Sequence, residues 1–305
     1  MLNNHPTATN YFVEMPFAVE GKTLLGQIRK KASNEEIQET IDKIHEQANE
    51  QGITDALAIS TDVLVTAICR VGATSLSHVL SYIDRNKDRL VGISQESDSA
   101  RSQIVTSVVE YWKFQPGVAV HIINLLLNYK VLAPINVIQW VFDTYMGAGD
   151  ALAKSWIYEL VANTVAKQSS RNLEIVTYRL QKGLSEEAAA AIDEQLKLDR
   201  GIVRELFKFI DDALKGYAEG SADRLIEKET NGEISTEDGQ LIRDWGKRWR
   251  TVFTRKATIE ESVVGEEAVE AKLRYLAAQP DEEPEAMQAE DTNGAQAEDM
   301  MDEVL

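Results

Sequence analysis

Between Ile53 and about Ser170 the chain is a succession of apolar, helix-length segments separated by short breaks. They read ITDALAISTDVLVTAICRVG, TSLSHVLSYIDRNKDRL, ARSQIVTSVVEYWKFQPG, VAVHIINLLLNYKVLA, PINVIQWVFDTYMGAGD and ALAKSWIYELVANTVAK. Each repeats its apolar residues at helical spacing, and most run about 15–20 residues. A lone amphipathic helix has nothing to bury its apolar face against, so successive helices must pack on one another. The expected fold is all-α: stacked antiparallel helical hairpins of the HEAT-like or ARM type, carrying a long helical arm. Such stacks make extended docking surfaces rather than enclosed reaction chambers.

A chain of 305 residues suffices for one large domain or two small ones, and 44% hydrophobic residues provide a core. The formal charge of −18 is unevenly spread. Residues 281–305 hold ten acids and no Lys or Arg, and without them the charge is −8, ordinary for a globular domain. The overall balance argues against the whole chain being a phosphate-backbone binder, which needs a concentrated positive surface. Cys69 is the single cysteine, so no intramolecular disulfide can form, which suits a reducing compartment. The first residues, MLNNHPTATNYF, have no charged region followed by an apolar stretch, and no segment reaches the ~18 consecutive apolar residues of a membrane span.

Along the chain, residues 1–21 read as an extended lead-in with Pro6, Pro16 and Gly21. A short helix is expected from about Thr23 to Lys31. Ser33 and Glu36 have capping-box spacing before a helix whose stripe is Ile37, Ile41 and Ile44, ended by Gly52. The next helix has a wide apolar face and stops at Gly72, with Thr74 or Ser77 as the cap of the one after it. Pro116-Gly117 marks a break, and Pro134 sits at a first helical position. INVIQWVF is rich in β-branched residues, but Ile135, Ile138, Val141, Phe142 and Tyr145 keep a helical period. From Ala151 to Tyr217 there is either one very long helix or two in succession. Residues 218–235 read as looser, and further helices are expected over 236–278. These comprise a strong helix from about Thr236 to Thr254 and a weaker one from Glu266 to Ala278. Residues 279–305 are expected to be disordered, being polar and of one charge sign.

Most motifs that suggest chemistry are incomplete. His45-Glu46 starts a zinc-protease pattern, but Asn49 stands where the second imidazole belongs. Asp84, Asn86 and Asp88 mimic a calcium loop, yet Arg89 replaces its glycine and Gln95 its bidentate Glu. Asp211-Asp212 lacks the further carboxylate that would hold magnesium, and Gly147-Ala148-Gly149 lacks the third glycine of a dinucleotide turn. Cys69 reads as a core residue rather than a nucleophile, and His78 as a capping or inter-helix hydrogen-bonding group. No catalytic residue, metal site or cofactor follows from these.

The stretch RDWGKRWRTVFTRK, 243–256, holds six basic residues and one acid, with Trp245, Trp249 and Phe253 every four residues. Interleaved cations and aromatics bind RNA by charge and stacking. The favoured reading is that the aromatic face packs into the core and leaves the basic face in water; a third is that an acidic segment, of this chain or a partner, lies along it. The candidate contacts for RNA or an acidic partner are Arg243, Lys247, Arg248, Arg250, Arg255 and Lys256.

Several segments together resemble a known family: IRKKASNEEI (28–37), VTAICRVGATSLSHVLSYIDR (65–85), VVEYWKFQPGVAVHIINLLLNYKVL (108–132), APINVIQWVF (133–142) and WIYELVANTVAK (156–167). Their order and spacing are similar to the third, C-terminal helical-repeat domain of the large subunits of nuclear cap-binding complexes, itself related to the middle domain of eukaryotic initiation factor four gamma. Beyond Arg171 the likeness is one of layout, and it implies a helical-repeat core over 22–170, a long helical arm and loop over 171–235 and returning helices of the same domain over 236–278. The resemblance implies a non-enzymatic, nuclear scaffold, with or without shuttling to the cytoplasm. It would support a small cap-binding subunit bearing an RNA-recognition motif, contact capped RNA only indirectly and recruit RNA processing and export factors, with no membrane partner. Cap-contacting residues belong mainly to the small subunit, and none transfers here. The two helical domains that precede this one in the family are not in the sequence, so the chain is expected to be a fragment or a separate gene product. Read from the residues alone, the chain is a helical-repeat binding protein. The rival readings are direct RNA binding through 243–256 and a helical enzyme whose carboxylates meet only in the fold.

Overall fold

A computed structural model of the chain describes residues 17–279, and every regular element among them is helical. The first helices are α1 (Ala18–Lys30), α2 (Asn34–Glu50), α3 (Ala56–Gly72), α4 (Leu76–Arg85), α5 (Lys87–Glu96), α6 (Asp98–Tyr111) and α7 (Pro116–Asn128). A short α8 (Pro134–Gln139) continues into a π-helical turn, Trp140–Tyr145, followed by a 3₁₀ turn, Asp150–Ala153. The remaining helices are α9 (Ser155–Arg179), α10 (Glu186–Glu219), α11 (Asp223–Thr230), α12 (Thr236–Val264) and α13 (Glu266–Ala277). Among the described residues no helix is long and apolar enough to cross a membrane.

The fold is the all-α helical repeat that the apolar periodicity implies. Helix α3 is the hub of the N-terminal half and packs on α1, α2, α4 and α6. Its wide apolar face explains this: Val63, Leu64, Val65, Ala67, Ile68 and Cys69 are all buried, on more than one side of the helix. Gly72 ends α3 without left-handed geometry. Its role is close approach, since a Cβ there would lie 2.4 Å from Val79 Cα. Helix α9 joins the two halves, touching α7, α8, α10 and α12.

Local signals place most helix ends. Ser33 Oγ accepts from Glu36 N–H (3.2 Å) while the Glu36 carboxylate accepts from Ser33 N–H (3.1 Å), a complete capping box. Pro116 and Pro134 each open a helix at the position where the missing N–H costs nothing. Between α3 and α4 the cap is Ser75, not Thr74 or Ser77. Its Oγ accepts from His78 N–H (3.2 Å) and lies 2.6 Å from His78 Nδ1, so the imidazole stands where a capping box has its Glu.

Other boundaries depart from the sequence expectation. Helix α1 already begins at Ala18, because Phe17, Leu24 and Ile28 are all buried and anchor its start, and Gly21 is buried inside it rather than breaking it. Residues 1–16 and 280–305 lie outside the described residues, as do the expected disordered acidic segment, apart from Gln279, and most of the lead-in. INVIQWVF is helical, with a π-turn that turns Trp140, Val141 and Phe142 into the core. Residues 151–217 form two antiparallel helices, α9 and α10, broken around Gly183. Part of 218–235 is helical as α11, with Leu225 buried, and α12 runs ten residues past Thr254.

The core has two parts. The large cluster spans α1 through α12. A satellite of Val176, Leu196, Val264 and Val269 holds the far end of the α9–α10 hairpin against α12 and α13.

Filling the α3–α4 contact tests this packing. Gly72→Ala forces a methyl group into the Val79 backbone, and overpacking of this kind costs about 1–3 kcal/mol. Urea denaturation should show the midpoint falling at unchanged slope, and an unaltered midpoint would contradict the close contact.

Candidate partner-binding surface on helix α12

Helix α12 lies antiparallel on α10, and its contacts keep one register over most of its length. Arg200 Nε donates to Val264 O (2.5 Å), Arg204 grips Glu261 (2.7 and 2.9 Å), and Arg250 grips Asp211 (2.7 and 3.1 Å). Nearer the start of α12, Gly246 lies against Ala218, where a Cβ would come within 2.9 Å of the backbone nitrogen. Gly220 adopts φ 71° to end α10, and Ser221 N–H closes back on Gly216 O (2.8 Å), so Arg243 can pass against its bare Cα. Arg243 then pairs with Glu229 of α11 at 2.7 and 2.6 Å.

This register sorts the aromatics and cations of 243–256. Trp249 and Phe253 are 3% and 2% exposed and form a triad with Tyr158 of α9, at ring separations of 5.2, 6.0 and 6.2 Å. Trp245 is half-buried, with the Arg248 guanidinium 5.2 Å from its ring centroid. Arg243 and Arg250 are spent in two-pronged carboxylate pairs. Lys247 reaches Asp244 (3.6 Å) in an exposed pair of little weight. Arg248, Arg255 and Lys256 are exposed and make no ion pair among the described residues.

Beside these cations runs a groove of about 350 Å³ between α9 and α12. Leu173, Ile259 and Val263 line it at 48%, 62% and 48% exposure, over a floor that includes Phe207 and Val264. Lys256 and Glu260 stand on its rim, and Glu260 accepts from Asn172 Nδ2 (3.1 Å). Sequence reasoning missed this groove because it ended α12 at Thr254. Ile259 and Val263, four apart and off the Trp249–Phe253 stripe, were the available signal.

The motifs set aside earlier have structural roles. His45 Nε2 lies 2.7 Å from Ser60 Oγ, joining α2 to α3. Asp84 accepts from Tyr129 OH (2.7 Å), and Gly147 O accepts from Tyr217 OH (3.1 Å). Burial pushes the Cys69 thiol up to about 12, so it stays protonated. Among the described residues no group of three or more His, Cys, Asp or Glu side chains is placed to hold a metal ion. The enclosed acids are far apart in the sequence and each is hydrogen-bonded. Asp62 accepts from Ser107 Oγ (2.5 Å), and Asp199 accepts from Gln168, Arg171 and Gln195.

A family described as MIF4G-like matches residues 12–262, which is most of the sequence and every helix from α1 to the last turn of α12. The chain belongs to that family. Among curated proteins it is similar to nuclear cap-binding protein subunit 1 of Schizosaccharomyces pombe, 25% identical over 118 residues, which cover 39% of this chain and 15% of the relative. It is also similar to nuclear cap-binding protein subunit 1 of Oryza sativa subsp. japonica, 21% identical over 184 residues, 58% of this chain and 21% of the relative. The matched stretches thus span about a fifth or less of those relatives.

Two expectations separate structural from free cations in this MIF4G-like fold. Arg250→Glu places like charges beside Asp211 and should lower the unfolding midpoint clearly, whereas Arg255→Glu should stay within about 0.5 kcal/mol of the parent. Thermal denaturation of both decides it, and equal losses would contradict the assignment. The second concerns pH. Hydrogen bonds from Arg250 and Arg204 hold the Asp211 and Glu261 carboxyls below the usual carboxylate range. Their folded pKa values lie below the unfolded ones, about 3.9 and 4.3. The stabilisation is therefore fully present above those values and lost as pH falls through the lowered folded values. The stability advantage of the parent over Asp211→Asn should hold steady above about pH 5 and shrink progressively as pH falls below it in urea titrations. An advantage that stays constant would sink the ion-pair account.

Proposed function

We propose that this domain is a non-enzymatic scaffold of the nuclear cap-binding complex, acting as part of its large subunit. In that role it supports a small cap-binding subunit bearing an RNA-recognition motif and recruits RNA processing and export factors, working in the nucleus. The observation that carries the reading is the MIF4G-like match across the helical core, together with relatives named nuclear cap-binding protein subunit 1. The geometry agrees with it. The enclosed acids are dispersed and engaged, and the open features are grooves between helices, suited to holding protein segments.

An RNA contact on α12 would be electrostatic, through Arg248, Arg255 and Lys256, because Trp249 and Phe253 are packed inside and offer no free face for stacking. Capped RNA is therefore read as an indirect partner, held by the small subunit.

The test is retention on cap-analogue resin. The chain should be retained when the small subunit is present and pass through when it is absent. Passage in both cases would remove this domain from the interface with the small subunit.

A further inference from the structure

Arg248, Arg255, Lys256, Ile259 and Val263 lie on one stripe of α12, spaced i, i+7, i+8, i+11 and i+15. All five are exposed, the cations at one end and the aliphatics at the other, with Leu173 of α9 beside the aliphatic end. Exposed apolar side chains contiguous with unpaired cations form a two-part surface. It fits a segment that carries negative charge and apolar anchors together.

The chain contains such a segment. Residues 281–305 hold ten acids and no base, and their last residues, AEDMMDEVL, interleave Met300, Met301, Val304 and Leu305 with Asp299, Asp302 and Glu303. It follows directly on α13, whose Val269 packs on Val264 at the end of α12 that carries the groove. The 26 residues after Gln279 can reach on the order of 85 Å when extended. The stripe from Arg248 to Val263 needs only about 22 Å. A tethered segment acts at an effective concentration in the millimolar range, so contacts too weak to hold a free peptide suffice in cis. Three acids of α12 adjoin the stripe, but Asp244 is paired with Lys247, Glu260 is hydrogen-bonded to Asn172 and Glu261 is paired with Arg204, so the field over the stripe is set mainly by its cations.

We propose that segment 281–305 docks in cis on this stripe, with its carboxylates on Arg248, Arg255 and Lys256 and its methionine and aliphatic side chains over Leu173, Ile259 and Val263. The inference does not depend on the cap-binding reading.

The test uses the full chain. Ala297→Cys, beside but outside the proposed anchors, is labelled with a nitroxide, and the buried Cys69 thiol, held protonated, leaves the new cysteine as the reactive one. At low salt the methyl signals of Leu173, Ile259 and Val263 should broaden several-fold more than those of Val19 and Ile226, exposed residues outside the groove. The broadening should recede at about 1 M salt, where the screening length is ~3 Å, and in the double variant Arg255→Glu, Lys256→Glu. Equal broadening across the surface, or none at the three groove residues, overturns the proposal. So does broadening that appears only when labelled chain is mixed with isotope-labelled, nitroxide-free chain, which would make the occupant a second copy.

Discussion

The antiparallel seam between α10 and α12 fixes what the surface of this protein can offer. Two long helices that meet over most of their length leave little freedom in rotation, because a shift of one residue turns each side chain by about 100°. The seam is pinned at both ends, by Gly246 against Ala218 and by Arg200 on the Val264 carbonyl, with the Asp211–Arg250 and Arg204–Glu261 pairs between. Once it is set, Trp249 and Phe253 must face Tyr158, and Arg248, Arg255 and Lys256 must face water. The ion pairs are partly exposed, so each contributes only modestly as energy. Their consequence is orientation: they take Arg243 and Arg250 out of the pool of cations available to a ligand.

The seam also shows where sequence reasoning reaches and where it stops. Helix existence was legible throughout the N-terminal half, where apolar periodicity, Ser33 with Glu36, and the two prolines carry the information within a few residues of chain. The ends of α1 and α12 were not, because each is decided by distant partners: the core that Phe17 enters at one, Arg204 and the Val176–Leu196 cluster at the other. Ser75 caps α4 with a histidine at the position where a capping box has its glutamate, a pairing that the capping-box pattern does not flag. In the stretch 243–256 the sequence left core packing and ligand contact open together. Only the position of α10 and α11 relative to α12 separates the cations that are occupied from those that are free.

Charge is distributed by a similar logic elsewhere. A shallow groove between α2 and α5 is walled by Glu35, Glu39, Asp42, Asp88 and Glu96, and Arg89 crosses it to donate to Asn34 and Gln38. There a single guanidinium stitches two acidic helices together, and the remaining carboxylates stay in water, where mutual repulsion is weak. The chain thus carries acidic and basic surfaces on different helix pairs, a difference that a single net charge conceals.

The satellite cluster of Val176, Leu196, Val264 and Val269 is separate from the main core. Few side chains hold the far end of the α9–α10 hairpin, and regions of low contact density open at free energies below that of global unfolding. The hairpin tip with α13 and the last turn of α12 is held by this small cluster and by the Arg200, Arg204 and Arg179 contacts, and is expected to open at a lower free energy than the main core. Val264 belongs to that unit and also floors the groove beside Ile259 and Val263. Whatever fills the groove clamps the tip shut, and thermodynamic linkage requires the converse, that loosening the tip expels what the groove holds. Occupancy at one edge of the scaffold is in this way convertible into amide protection, and into resistance to proteolysis, at the hairpin tip.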